Sequence, residues 1–297
     1  MKILITGSDG VVGKELAIYF KKLKSIKLIL HTRKKNQKKK NFYYSKDLSN
    51  KIFLSDVPDV IIHCAAINKN FDSSDKKKNK FIKNVKITKN IIDFANNNKV
   101  KKIIFFSSMD VYGKITNQLV TEKNIPNKNN YYGRSKLLCE NLLNKKNNYF
   151  KAICLRIPGI LTTDLSKNRP LLINMINKII SRKKIYIYNP NNKFNNVLDV
   201  KEVFSIILKI LKKQFKINKI YNLSSNYPIS IIKIIEKFEK IFLIDANIQI
   251  SRNKKKSFII SNRKIQRELK ISISSTSNII DRFCKKKKKI EKCLKFI

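Results

Sequence analysis

Lys2-Ile3-Leu4-Ile5-Thr6-Gly7-Ser8-Asp9-Gly10-Val11-Val12-Gly13 opens the chain, and its reading decides the fold. Ile3, Leu4 and Ile5 form a short apolar run suited to a strand buried on both faces. Leu16, Ala17, Phe20 and Leu23 then recur at helical spacing. Gly7, Gly10 and Gly13 therefore sit between a strand and a helix, the context a phosphate-cradling turn requires. Gly7 can turn tightly, Gly10 lets backbone approach a pyrophosphate, and Gly13 lets the helix pack on the strand. The first helical amides, at Val11 and Val12, and the helix dipole favour anionic phosphates. The spacing is G-x-x-G-x-x-G, not G-x-G-x-x-G, and an ordinary β-α turn without a ligand is the alternative.

Working outward, 297 residues are enough for one large domain or two coupled lobes, and a hydrophobic share of 42% is that of a globular chain. No apolar run is long enough to span a bilayer. The chain opens on a strand, so no secretory leader is expected. Cys64, Cys139, Cys154, Cys284 and Cys293 are scattered without a C-x-x-C pair, and His31 and His63 complete the histidines. That inventory predicts no metal site and a reduced, cytoplasmic protein.

The charge is the unusual feature, with 66 basic residues against 20 acidic and a net charge of +46. A polyanion partner would concentrate such charge beside aromatics. Here lysine occurs in nearly every segment, with runs at 34–40, 76–80 and 285–289. Compositional bias explains that spread better, so no specific nucleic-acid partner and no membrane partner are expected. Salt-dependent, non-specific attraction to polyanions follows from the charge alone.

Farther along, 27–31 reads as a second strand, 41–44 as a third and 60–64 as a fourth. The fourth leads into Ala65-Ala66, and a polar loop over 68–80 precedes a helix over 81–97. A fifth strand over 102–107 is followed by Ser107-Ser108-Met109-Asp110-Val111-Tyr112-Gly113. Tyr131-Tyr132-Gly133-Arg134-Ser135-Lys136 then opens a helix through Leu143. On that helix Tyr132 and Lys136 lie one turn apart on one face. An ammonium beside a phenol favours the phenolate, so Tyr132 could exchange a proton with a substrate hydroxyl or carbonyl. Tyr-x-x-x-Lys alone is weak in so lysine-rich a chain. The weight lies in the order: glycine loop, small residues after strand four, serine ending strand five, then Tyr and Lys on the next helix.

Taken together these motifs resemble the short-chain dehydrogenase/reductase superfamily of extended type. The resemblance is firm through Arg156-Ile157-Pro158-Gly159 and looser beyond. It implies an α/β fold: a doubly wound, mostly parallel, Rossmann-like sheet over 1–165, with helices on both faces. A small C-terminal lobe over 166–297 would close over substrate, with about 194–223 returning to the first domain. It implies Ser108, Tyr132 and Lys136 as catalytic residues, with Tyr132 and Lys136 also gripping the cofactor. It places the cofactor against Gly7, Gly10, Val11, Val12, Gly13, Arg33, Asp47, Leu48, Ala65 and Asn84. Asp47 and Leu48 would meet adenine, although Asp47 could equally be a cap or turn residue. Asn84 would steady the active-site backbone, and Arg156-x-Pro-Gly would pass the nicotinamide. His63, alone in an apolar strand, is expected to be structural.

An acid at the end of the second strand would favour NAD, whereas a basic residue accommodates the 2′-phosphate of NADP. The sequence there is His31-Thr32-Arg33-Lys34, with no acid in reach, so NADP is expected through Arg33 and NAD is the alternative. Arg33 as an ordinary surface cation also stays open. The family's chemistry implies a nucleotide-sugar 4-epimerase or 4-keto reductase, with hydride transfer and Tyr132 as acid/base. A 4,6-dehydratase is the nearer alternative. Met109 stands where that enzyme needs its acid, and Asp110 is one methylene shorter than the usual base. A non-catalytic, polyanion-binding scaffold is the more distant one. Family members are often homodimers.

Overall fold

The computed structural model describes residues 1–33, 42–44, 47–67, 74–126, 130–145, 149–162, 171–251 and 257–294. The lysine run at 34–40 lies outside them. Two compact units divide the chain. One contains Met1–Lys114, Glu122–Ile157 and Ile210–Tyr221, the other Ile115–Thr121, Pro158–Lys209 and Asn222–Ile297.

The first unit is built on one sheet of β1 (Lys2–Thr6), β2 (Lys27–Thr32), β3 (Phe42–Tyr44), β4 (Val60–His63), β5 (Lys102–Ser108), β6 (Lys151–Ile157) and β7 (Lys219–Asn222). Their order is β7-β6-β5-β4-β1-β2-β3. The six strands from β6 to β3 run parallel, with Ile3 opposite both Leu28 and Val60, and Phe105 opposite both His63 and Cys154. Parallel strands need crossover helices on both faces, so their side chains are buried on both sides. Ile3, Leu4, Ile5, Ile61, Ile62, Ile103 and Ile104 are accordingly all but inaccessible. Burying each such side chain contributes roughly 1.5–3 kcal/mol. The strand order reverses at β1, which has β2 on one side and β4 on the other. Open sheets of this kind bind ligands at such a switch point, beyond the carboxyl ends of the strands.

Three helices of this unit matter for the site: α1 (Val11–Lys21), α2 (Ser74–Asn97) and α3 (Tyr131–Leu143). Ile87, Ile91, Phe94 and Ala95 of α2 join Leu4, Ile61, Ile103 and Phe105 of the sheet in one core. The expected loop over 68–80 is corrected from residue 74 on, because α2 already begins at Ser74, while 68–73 lie outside the described residues. Apolar periodicity starts only near Phe81, but lysine is itself a good helix former, so the helix extends N-terminal to that period.

The second unit carries short paired strands. Gly159–Leu161 runs parallel with Val197–Asp199, Leu119–Val120 with Ile259–Ile260, and Ile185–Ile187 with Ile248–Ile250. Its helices are α4 (Leu171–Ile180), α5 (Val200–Lys212), α6 (Ile231–Phe242), α7 (Arg263–Leu269) and α8 (Thr276–Leu294). Asp199 caps α5 by accepting the Glu202 N–H at 2.8 Å, and Arg282 of α8 bridges Asp199 and Glu202 at 3.0 Å each. Asn262 donates to the Ser224 carbonyl and to Asn226 Oδ1, both at 2.8 Å. Among the described residues no helix is long and apolar enough to cross a membrane.

Candidate active site

The glycine loop follows directly from β1. Gly7 has φ +71°, and a Cβ there would lie 2.8 Å from the Cα and N of Ala65. The turn thus presses on the backbone just after β4, where any larger residue than glycine would collide. A Cβ on Gly13 would meet the Gly7 carbonyl oxygen at 2.3 Å, so α1 rests on the loop itself. Gly10 is the N-cap of α1, without a side-chain cap and without an acid in the first turn. The amides that open the helix, including those of the half-buried Val11 and Val12, keep the positive end of the dipole toward the loop. This bare helix start and close-packed loop fit a dinucleotide's phosphates.

At the end of β2 the structure corrects one expectation. An acid is in reach: Asp9, from the glycine loop. Its Oδ2 accepts the Arg33 N–H at 2.8 Å, and both its oxygens lie 3.2 Å from Thr32 Oγ1. Ser8 Oγ donates to the His31 carbonyl at 2.5 Å, which ties the same loop to the same strand end. Arg33 is exposed.

Around β4 the polar groups are pinned. His63 is fully buried, with Nδ1 2.7 Å from Thr6 Oγ1 and Nε2 3.2 Å from Thr88 Oγ1. Burial, then the charge of Lys136, lowers its pKa to about 3, so the ring is neutral and structural. Asn84 holds the backbone beyond Ala65 from both sides, donating to the Ile67 carbonyl at 3.0 Å and accepting its N–H at 2.7 Å. Asp47 sits in a turn, accepting the Ser49 N–H at 2.9 Å and pairing with Lys83 at 2.6 Å. Burial opposes its charge, but these partners outweigh it and hold the carboxyl at about 2. Leu48 is buried in the core beside Ile29 and Ile91. A cleft of about 780 Å³ between this loop and α2 is lined by Ser49, Phe53, Asn90 and Asp93. Its lining includes neither the glycine loop nor Tyr132.

The third group gathers where β5 ends. Ser108 Oγ accepts the Asp110 N–H at 3.1 Å and caps the 3-10 turn Met109–Tyr112. With a lone pair engaged there, its hydroxyl hydrogen can point elsewhere. Asn130 caps α3 by accepting the Gly133 N–H at 2.6 Å, which sets Tyr132 in the first turn. Lys136 is buried. Its Nζ donates to the Phe106 carbonyl at 2.6 Å and lies 5.8 Å from the centre of the Tyr132 ring. Burial lowers its pKa from the ordinary lysine value. The sheet therefore delivers Ser108, Tyr132 and Lys136 to one end, at the strand whose neighbour β4 leads into Ala65.

Two residues that the sequence did not single out hold this arrangement. A Cβ on Gly133 would stand 2.1 Å from the Asp110 carbonyl oxygen, so only glycine lets α3 touch the turn after Ser108. Gly133→Ala should destabilise the protein by about 1–3 kcal/mol through overpacking against backbone, read as a lowered urea midpoint. An unchanged midpoint would mean that the contact is slack. Glu140, fully buried, accepts from Ser107 Oγ at 2.5 Å and from Arg156 Nη2 at 2.7 Å, and Arg156 Nη1 donates to Tyr112 Oη at 2.7 Å. Arg156 is thus spent inside the unit, clamping α3, β5 and β6 together.

The family model described as the NAD dependent epimerase/dehydratase family matches residues 3–224. The chain belongs to that family. The extended short-chain dehydrogenase/reductase character and the doubly wound fold read from the sequence stand with it. Among curated relatives, a dTDP-D-glucose 4,6-dehydratase of Dictyostelium discoideum is 30% identical over 80% of this chain, which spans 61% of that protein's own length. A UDP-glucose 4-epimerase of Mycoplasma genitalium is 26% identical over 95% of this chain and 97% of its own. Among solved structures, a UDP-glucose 4-epimerase from Thermotoga maritima superposes with TM-score 0.82 at 17% identity, covering 98% of this chain and 99% of that one. A Bacillus cereus UDP-glucuronic acid 4-epimerase in complex with NAD gives 0.81 at 21% identity, covering 98% of each. At such identities the superpositions speak for the fold alone.

Proposed function

We propose that the chain is a nucleotide-sugar 4-epimerase that works with a nicotinamide dinucleotide. The observation that carries this reading is the grouping of Ser108, Tyr132 and Lys136 at the end of β5, with Met109 in the next position. Tyr132 takes the proton from the sugar hydroxyl as the carbon beside it is oxidised, and returns it on reduction. Ser108, its Oγ already accepting from Asp110, donates to the same sugar oxygen. An ammonium has three donors. Lys136 gives one to Phe106 and can offer others to the ribose next to the nicotinamide, while its charge favours the Tyr132 phenolate. The nicotinamide ring, when bound, supplies the place to which hydride goes. Gly7, Gly10, Val11, Val12, Gly13 and Ala65 receive the dinucleotide, and Asn84 keeps the adjoining backbone in place.

Met109 is buried and has no proton to give, which counts against dehydration. The D. discoideum relative is the reason to keep dehydratase as the second reading. The test is product analysis after incubation with UDP-glucose and with dTDP-glucose, each with NAD or NADP, and with a 4-keto nucleotide sugar and the reduced cofactor. Formation of the C4 epimer supports the proposal. A 4-keto-6-deoxy product would replace it by the dehydratase reading, and turnover only with reduced cofactor and a 4-keto sugar by the reductase. NADP was expected through Arg33; whether it or NAD is the cofactor is decided at the end of β2, where Asp9 and Arg33 meet.

A further inference from the structure

We propose that Asp9 reads the adenosine ribose and selects NAD over NADP, a role that rests on the dinucleotide reading above. In doubly wound folds the acid that accepts from the ribose 2′-hydroxyl stands roughly 20 residues beyond the glycine fingerprint, at the end of the second strand. Counting from Gly13, that position is Arg33. The side chain there is basic, yet the backbone N–H of that same residue is held by a carboxylate at 2.8 Å. Asp9 therefore brings a negative charge to the edge of β2 from the opposite wall, the loop that receives the phosphates.

Its placement is fixed, not incidental. Asp9 lies between Gly7 and Gly10, and the loop is tied to β2 at three successive residues. Ser8 bonds the His31 carbonyl, while Asp9 takes the Thr32 hydroxyl and the Arg33 amide. An ionised carboxylate offers about four acceptor positions. After Thr32 and Arg33 are served, it can still accept from a ribose hydroxyl. A 2′-phosphate brought to the same place would meet like charge, and like-charge juxtaposition in a binding site is strongly unfavourable. The Arg33 guanidinium, on an exposed side chain, pulls the other way, but it can stay in solvent. The carboxylate is anchored to the backbone and cannot.

The test is calorimetric binding of NAD and of NADP to wild type, Asp9→Asn and Arg33→Ala, at one moderate salt concentration. NADP carries one phosphate more than NAD, so it is the change of their affinity ratio between wild type and variant that cancels the general attraction of a chain of net charge +46. Asp9→Asn keeps an oxygen for the Arg33 and Thr32 donors, so the loop retains its bonds while losing its charge. Wild type should prefer NAD, and Asp9→Asn should shift the NADP-to-NAD affinity ratio toward NADP by roughly tenfold. A wild type that prefers NADP, and loses that preference in Arg33→Ala, would overturn the proposal. So would a ratio that Asp9→Asn leaves unchanged. If wild type binds neither dinucleotide, the cofactor reading itself falls, which is a separate result from binding without discrimination.

Discussion

Replacing Tyr132 by phenylalanine should lower turnover of the nucleotide sugar by about 10²–10⁴-fold, the usual contribution of a positioned acid/base. The substitution removes one oxygen and keeps the ring. The aromatic face 5.8 Å from Lys136 Nζ remains, and so does the Asn130 cap that sets the first turn of α3. Dinucleotide binding and the urea midpoint should therefore stay close to wild type. A loss in kcat with the fold intact assigns the proton to Tyr132. Unchanged turnover would remove the proposed mechanism, whatever the family of the chain. A loss of dinucleotide binding in the same variant would instead give Tyr132 a binding role. The experiment also separates an enzyme from a scaffold that only attracts polyanions. Such a scaffold would lose its ligands with rising salt and would be indifferent to the phenol.

What the sequence disclosed depended on how local the signal was. β1, the glycine loop and α1 are contiguous, and each step has its own pattern: apolar run, glycines, helical period. The same holds for β5 and for Tyr132 and Lys136, which share one helix. The family beyond these motifs was legible from their order. Asp9 was not, because its partners Thr32 and Arg33 are 23 and 24 residues away. A search for the ribose acid looks along β2, not back into the preceding loop. Gly133 looked like an ordinary helix residue until the Asp110 carbonyl was seen against it. Arg156 drew notice only as part of the Arg156-Ile157-Pro158-Gly159 segment, expected to pass the nicotinamide. Its burial against Glu140, on another element, is a fact of packing that no local pattern announces. The early start of α2 was missed for the opposite reason, since the lysine-rich stretch that opens it shows no apolar period.

Glu140→Ala should cost about 3–5 kcal/mol of folding stability, the loss found when one partner of a buried ion pair is removed. Both side chains are nearly inaccessible, at 4% for Arg156 and 1% for Glu140. Burial alone would disfavour the guanidinium's charge, but hydrogen bonds from Arg156 to Glu140 and their mutual attraction raise its pKa above the ordinary value. Without Glu140, the charge would be left with the Tyr112 hydroxyl, which an uncharged oxygen cannot balance. Ser107, next to Ser108, would lose its acceptor as well. Against a typical stability of about 5–15 kcal/mol, the variant should unfold at far lower urea. The decisive comparison is with Glu140→Met combined with Arg156→Met. If the single loss comes from an orphaned charge, removing both charges should restore much of the stability. If the double variant is as unstable as the single one, the pair acts by its shape and its bonds to Ser107 and Tyr112. A single loss below about 1 kcal/mol would mean that water reaches the pair, as it does at the surface.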